Sequence, residues 1–189
     1  CGNRTFRLKS YSEGRLVETV ASILDCLRRT LEFNVGRGIL FFRVHSGFVP
    51  FASHPVCRFD WQGHFRGEFA NIGRFIRKHG IRVSMHPDQF TLINSLDEGI
   101  FQRSVKELCY HCALLDLLGT DRSAKVQIHV GGVYSDRRAS LDRFVKRWGL
   151  LEPAIRGRLA VENDDRNYSL GDCLQVNSRT GAPVIFDTF

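Results

Sequence analysis

Four residues able to hold a divalent metal, His86, His129, Glu162 and Asp187, stand at or next to the ends of short apolar runs: IRVSMH, VQIHV, RLAVE and PVIFD. They lie 43, 33 and 25 residues apart, with a helical pattern in each interval. Two imidazoles and a carboxylate suit Mn²⁺ or Zn²⁺ more than Mg²⁺ or Ca²⁺, which prefer all-oxygen shells. Side chains alternate between faces along a strand. Ile81, Val83 and Met85 therefore oppose Ser84 and His86, and Val126, Ile128 and Val130 oppose Gln127 and His129. Leu159 and Val161 oppose Ala160 and Glu162, and Val184 and Phe186 oppose Ile185 and Asp187. In each run one face is wholly apolar and can pack on helices. The other can line a shared interior in which the four ligands converge, at the strand ends where parallel barrels keep their active sites.

The elements that would position these residues follow from periodicity. Leu16, Val20, Ile23, Leu24, Leu27 and Leu31 recur at helical spacing over 14–33. Residues 38–44 read as a strand, 46–62 as a long loop, and 64–79 as a helix stopped by Gly80 before a strand at 81–86. A helix over 98–118 ends at Gly119, and a strand at 125–130 leads into Gly131-Gly132. Helices at 136–148 and 150–156, a strand at 158–162, a short helix capped by Ser169 and ending near Val176, and a strand at 183–187 complete the series. Alternating strands and helices predict an α/β fold with a parallel sheet. The expectation is a TIM-type (β/α)8 barrel truncated to about six βα units, because a full barrel takes about 250 residues. The possible extra strand falls at Cys1 to Thr5, and residues 1–189 read as a single partial barrel domain whose two ends are cut from a longer protein. An open doubly wound sheet is the alternative; its sites gather at one switch point, which accounts less well for ligands on successive strands.

Composition narrows the partners. The formal charge is +7, and most of the basic residues are Arg. Such a chain suits a polyanion, nucleic acid first, or simply carries a solvated basic surface. Six cysteines show no framework spacing and read as reduced core thiols. Cys109 and Cys112 form a lone CxxC within an amphipathic helix, where packing is the simpler role. No apolar run approaches the roughly 20 residues of a membrane span, and no secretory leader opens the chain.

The segment SMHPDQFTLINS (84–95) resembles the His-Pro-x-Gln-aromatic motif of the UV damage endonuclease family. IHVGG (128–132), ENDD (162–165), Phe186-Asp187 and LCYH (108–111) with Leu115-Asp116 are similar to its other blocks, in the same order. The long block is specific; each short one alone would be weak. The resemblance implies a barrel holding a cluster of divalent metals, usually Mn²⁺ with Zn²⁺ or Mg²⁺ as alternatives. It implies an endonuclease that nicks damaged double-stranded DNA on the 5′ side of a lesion such as a pyrimidine dimer. Carried over, His86, His129 and Glu162 hold one metal, and Glu162 bridges to a second that Asp187 also binds. The family's later His, Asp and Glu ligands are absent from this sequence, so the chain alone would be catalytically incomplete. A monomer acting on DNA in the cytoplasm, nucleoid-associated in a bacterium, is the implied setting.

That chemistry is physically coherent. Phosphodiester hydrolysis needs a nucleophile at neutral pH and relief of charge on the phosphate, and clustered divalent cations supply both. Gln89 and Phe90 follow a rigid His-Pro turn and should project from the mouth, where an aromatic and an amide can wedge into a weakened base pair. Arg43 and His45, at the end of their own strand, are assigned to phosphate contact. His111 lies mid-helix and reads as structural, and Asp164 and Asp165 read first as turn formers. Two other classes compete: a metal-dependent sugar isomerase or epimerase on the same barrel, and a fragment that only binds damaged DNA. The basic composition and the Gln89-Phe90 pair argue against a small neutral sugar.

Overall fold

The computed structural model describes residues 5–188. It contains two compact units: the described residues up to Ser84 with Ala113–Ala124, and Met85–Cys112 with the chain from Lys125 onward. The extra strand expected at Cys1 to Thr5 lies outside the described residues, apart from Thr5, which is not in a strand.

After a 3-10 turn at Leu8–Ser10, the first unit is built on helix α1, Glu13–Gly36. The Ser12 hydroxyl caps it by accepting from the Arg15 N–H at 3.2 Å. Leu16, Val20, Leu24, Leu27 and Leu31 form its buried stripe, each such side chain contributing about 1.5–3 kcal/mol when removed from water. Strand β1 is Phe41–Val44, followed by a short helix α2, Trp61–His64, which begins in the last residues of the expected loop and runs to the expected helix start. The expected strand start at residue 38 is not met: Gly38, at φ 71°, is used in reversing the chain after α1. Helix α3, Arg66–Lys78, packs Phe69, Ile72 and Ile76 inward, and leads to β2, Arg82–Met85. Gly73 has no room for a side chain because the Leu118 carbonyl lies against it, and the Arg77 guanidinium donates to that oxygen at 2.9 Å.

In the second unit, helix α4 (Glu98–Leu117, whose last turn belongs to the first) precedes β3, Lys125–His129. Helices α5, Arg137–Leu150, and α6, Pro153–Arg156, lead to β4, Leu159–Glu162. Helix α7, Leu170–Thr180, and β5, Val184–Ile185, end the series. In the second unit β3, β4 and β5 are successive neighbours in one sheet, and β3–β4 and β4–β5 are parallel. This strand–helix alternation is the α/β TIM-type repeat expected. The register sets Gln127 beside Ala160 and His129 beside Glu162.

The residues expected on the apolar faces of β2, β3 and β4, Val83, Met85, Val126, Ile128, Leu159 and Val161, are all buried, and β4 is buried on both faces. Two helix and strand ends differ. Helix α7 runs to Thr180 rather than stopping near Val176, because a full capping box at Ser169 and Asp172 starts it and left-handed Gly181 ends it. Strand β5 stops at Ile185, two residues before Asp187, and Phe186 is exposed instead of packed on helices. Cys26 also departs from the reduced set, being disulfide-bonded; sequence spacing carries no information on which cysteines meet in space. Cys57, Cys109, Cys112 and Cys173 are free, and Cys112 is buried while Cys109 is exposed. No helix among the described residues is long and apolar enough to cross a membrane.

Candidate metal centre and its cavity

His86, His129 and Glu162 come together in the second unit, with one ligand atom from each lying within 4.8 Å of the others. Each stands at the C-terminal end of its strand or one residue past it, on the non-apolar face. Glu162 is 3% exposed, and its Oε2 faces Nε2 of His86 at 3.1 Å. The two imidazole rings are 4.9 Å apart between centroids.

The outer nitrogens are held by backbone. Nδ1 of His86 lies 2.6 Å from the Pro87 carbonyl, and Nδ1 of His129 lies 3.3 Å from the Glu162 carbonyl. Each contact puts the proton on Nδ1 and leaves Nε2 as the lone-pair donor, the arrangement by which metal-ligating histidines are oriented. Two such nitrogens and one buried carboxylate fit a divalent cation.

His86 and His129 open onto a cavity of about 570 Å³. Three loops from the strand ends shape it. The first follows His86: the Asp88 carboxylate accepts from the Phe90 N–H at 2.8 Å, and the Thr91 N–H donates to the Asp88 carbonyl at 3.1 Å. This tight turn presents Gln89 and Phe90, both on the cavity wall; Phe90 is 72% exposed, so it is not ordinary core. The second loop is Gly131-Gly132. Gly131 sits at φ 112°, and a side chain there would strike the Asn94 amide. The role is close approach by Asn94 rather than phosphate cradling. The third runs from Asn163 to Tyr168, where Asp164 accepts from the N–H groups of Arg166, Asn167 and Tyr168 and acts as a turn former.

The remaining expected residues are placed differently. Asp187 is exposed and outside the clustered triad among the described residues. Its backbone is nevertheless tied beside the centre: its N–H donates to Asn163 Oδ1, and Asn163 Nδ2 donates to its carbonyl, each at 3.0 Å. Arg43 and His45 belong to the first unit and are exposed at the end of β1. His45 uses Nδ1 to accept from the Gly47 N–H at 3.1 Å. His111 is fully buried with Nδ1 at 2.7 Å from the Glu107 carbonyl, which fits its structural reading.

Sequence reasoning gave no role to Asn94, Asn163 or Gln127. Gln127 lines the cavity and is 8% exposed; strand alternation had already put it on the face of His129. Asn94 and Asn163 carry no local signal, because their partners lie 38 and 24 residues away.

The UV-endonuclease UvdE family model matches residues 3–189. The chain is 40% identical over 185 residues to the UV DNA damage endonuclease of Clostridium perfringens (strain 13 / Type A), covering 98% of this chain and 45% of that protein. It is 39% identical over 169 residues to the UV DNA damage endonuclease of Bacillus velezensis, covering 89% of this chain and 52% of that protein. The solved structure titled "Crystal Structure of SacUVDE" superposes with a TM-score of 0.95 at 42% identity, covering 98% of this chain and 63% of that one. The chain thus spans about half the length of the curated relatives it matches.

Proposed function

Because the chain belongs to the UV-endonuclease UvdE family, we propose that it forms part of a DNA repair endonuclease that nicks UV-damaged duplex 5′ to the lesion by metal-assisted phosphodiester hydrolysis. One observation carries this reading: His86 and His129, with buried Glu162 beside them, open onto the same cavity as the exposed Gln89–Phe90 turn. A divalent cation, Mn²⁺ in our reading, would activate water and offset the charge of the scissile phosphate.

The chain's own residues supply the rest. His86, His129 and Glu162 would hold the cation, and Asp187 would serve as a further carboxylate ligand for a second. Gln89 and Phe90 enter the duplex at a weakened base pair, where unstacking costs least, and so select damaged sites. Arg43 and His45 contact phosphate. The partner is damaged double-stranded DNA, met by a monomer in the cytoplasm.

The test is strand scission of a labelled duplex carrying a single UV photoproduct, with Mn²⁺ and the protein at its natural length. A single nick 5′ to the lesion, abolished by EDTA, is the expected result. Metal binding without scission of damaged DNA would refute the reading.

A further inference from the structure

Helix α5 carries Arg137, Arg138, Arg143, Lys146 and Arg147. Two of its arginines, Arg143 and Arg147, are turned to backbone carbonyls. Arg147 is 9% exposed; its guanidinium donates to the Ser95 carbonyl at 2.5 Å and the Ile93 carbonyl at 3.2 Å. It also pairs with Glu98 at 3.1 Å and lies 4.5 Å from the centroid of the Phe101 ring. Arg143 donates through Nε to the Asn94 carbonyl at 2.6 Å and through a terminal nitrogen to the Ser140 hydroxyl at 3.1 Å. It stacks over Tyr134 at 5.3 Å.

The three carbonyls so gripped are consecutive, Ile93 to Ser95, and lie just after the Gln89–Phe90 turn. The Asn94 side chain completes the fixture. Its Nδ2 donates to the Gly132 carbonyl at 2.8 Å and its Oδ1 accepts from the Gly132 N–H at 3.2 Å. The Leu92 N–H donates to the Ser104 hydroxyl at 2.9 Å. The loop is thus bolted to α5 on one side and to the chain three residues past His129 on the other.

We propose that Arg143, Arg147 and Asn94 are positioning residues: they hold the Gln89–Phe90 turn at a set distance from the His86–His129–Glu162 centre, so that lesion discrimination depends on a clamp that does not touch DNA. This rests on the endonuclease reading above. An exposed aromatic on a loose loop loses part of its insertion energy at a lesion to ordering that loop. Held rigidly, it enters without that cost, and the gain is felt only where the helix already yields.

The experiment uses the protein at its natural length and measures its affinity for duplexes with and without one UV photoproduct. Arg143→Met should lower the damaged-to-intact preference about tenfold, the loss expected for a charge-assisted hydrogen bond. Arg143→Lys, which keeps one donor for the Asn94 carbonyl, should lose less. Affinity for intact duplex and for Mn²⁺ should stay within about twofold, which a phosphate contact or a general loss of folding would not allow. Phe90→Ala should remove the preference, and adding Arg143→Met to it should cost little more, as expected for residues acting through one element. An unchanged preference in Arg143→Met, or equal weakening on both duplexes, overturns the clamp. A parent protein with no preference for damage would instead overturn the endonuclease reading from which the clamp derives.

Discussion

Asp172→Asn tests how the cavity's third loop is held. The carboxylate stands at the third position of α7, accepts from the Ser169 N–H and hydroxyl, each at 2.7 Å, and pairs with Arg137. It therefore fixes the helix immediately after the Asn163–Tyr168 loop. Asparagine keeps the shape and one acceptor but loses the charge. The cap contributes about 1 kcal/mol. The ion pair adds roughly 1 kcal/mol after discounting for screening, since the Arg137 side chain is 46% exposed. The expected loss is about 2 kcal/mol, or a fall in Tm of roughly 4–8 °C. Burial pushes the Asp172 carboxyl up, but hydrogen bonds from Arg137 and Ser169 outweigh it and hold the group below its ordinary value. A carboxyl depressed in the folded state contributes fully above its unfolded value of about 3.9 and loses that contribution as pH falls through the lower folded value. The gap between parent and variant should accordingly shrink below about pH 4. Thermal melts followed by circular dichroism from about pH 3 to about pH 7, with Arg137→Met completing a double-mutant cycle, measure it. A loss at neutral pH under roughly 0.5 kcal/mol, within the range of ordinary surface changes, would refute the reasoning. So would a gap that does not narrow in acid.

Glu162→Gln removes the charged ligand but preserves its volume. Mn²⁺ affinity by calorimetry should fall more than about 100-fold, beyond the range seen for outer-shell changes; a loss under tenfold would mean that Glu162 is not a ligand. Gly131→Ala must place a side chain at φ 112° against the Asn94 amide. It should cost about 3 kcal/mol in a denaturant melt, from backbone strain plus a disturbed hydrogen bond; a neutral substitution would show that the approach of Asn94 is not tight.

The triad was legible before any coordinates because strand geometry is local. Alternation placed His86, His129 and Glu162 on the face opposite Met85, Ile128 and Val161, and those apolar residues are buried as expected. The exposed Gln89–Phe90 pair followed from the rigid turn after His86 in the same way. Alternation failed at Phe186, which is exposed, because β5 ends at Ile185 and beyond a ladder nothing enforces the face on which a side chain falls. The partners of Arg143 and Arg147 were not legible for a related reason: charge gives the kind of partner a side chain prefers, but not which partner is near. Arg143 and Arg147 reach carbonyls 49 to 54 residues away. What the sequence by itself determined is the clustering of His86, His129 and Glu162, the strand–helix repeat and, through the resemblance of the block around His86, the family, each legible from local pattern. Only the tertiary structure decided that Arg143 and Arg147 of α5 grip a loop, because a guanidinium withdrawn from water must find carbonyl oxygens wherever the packed chain brings them.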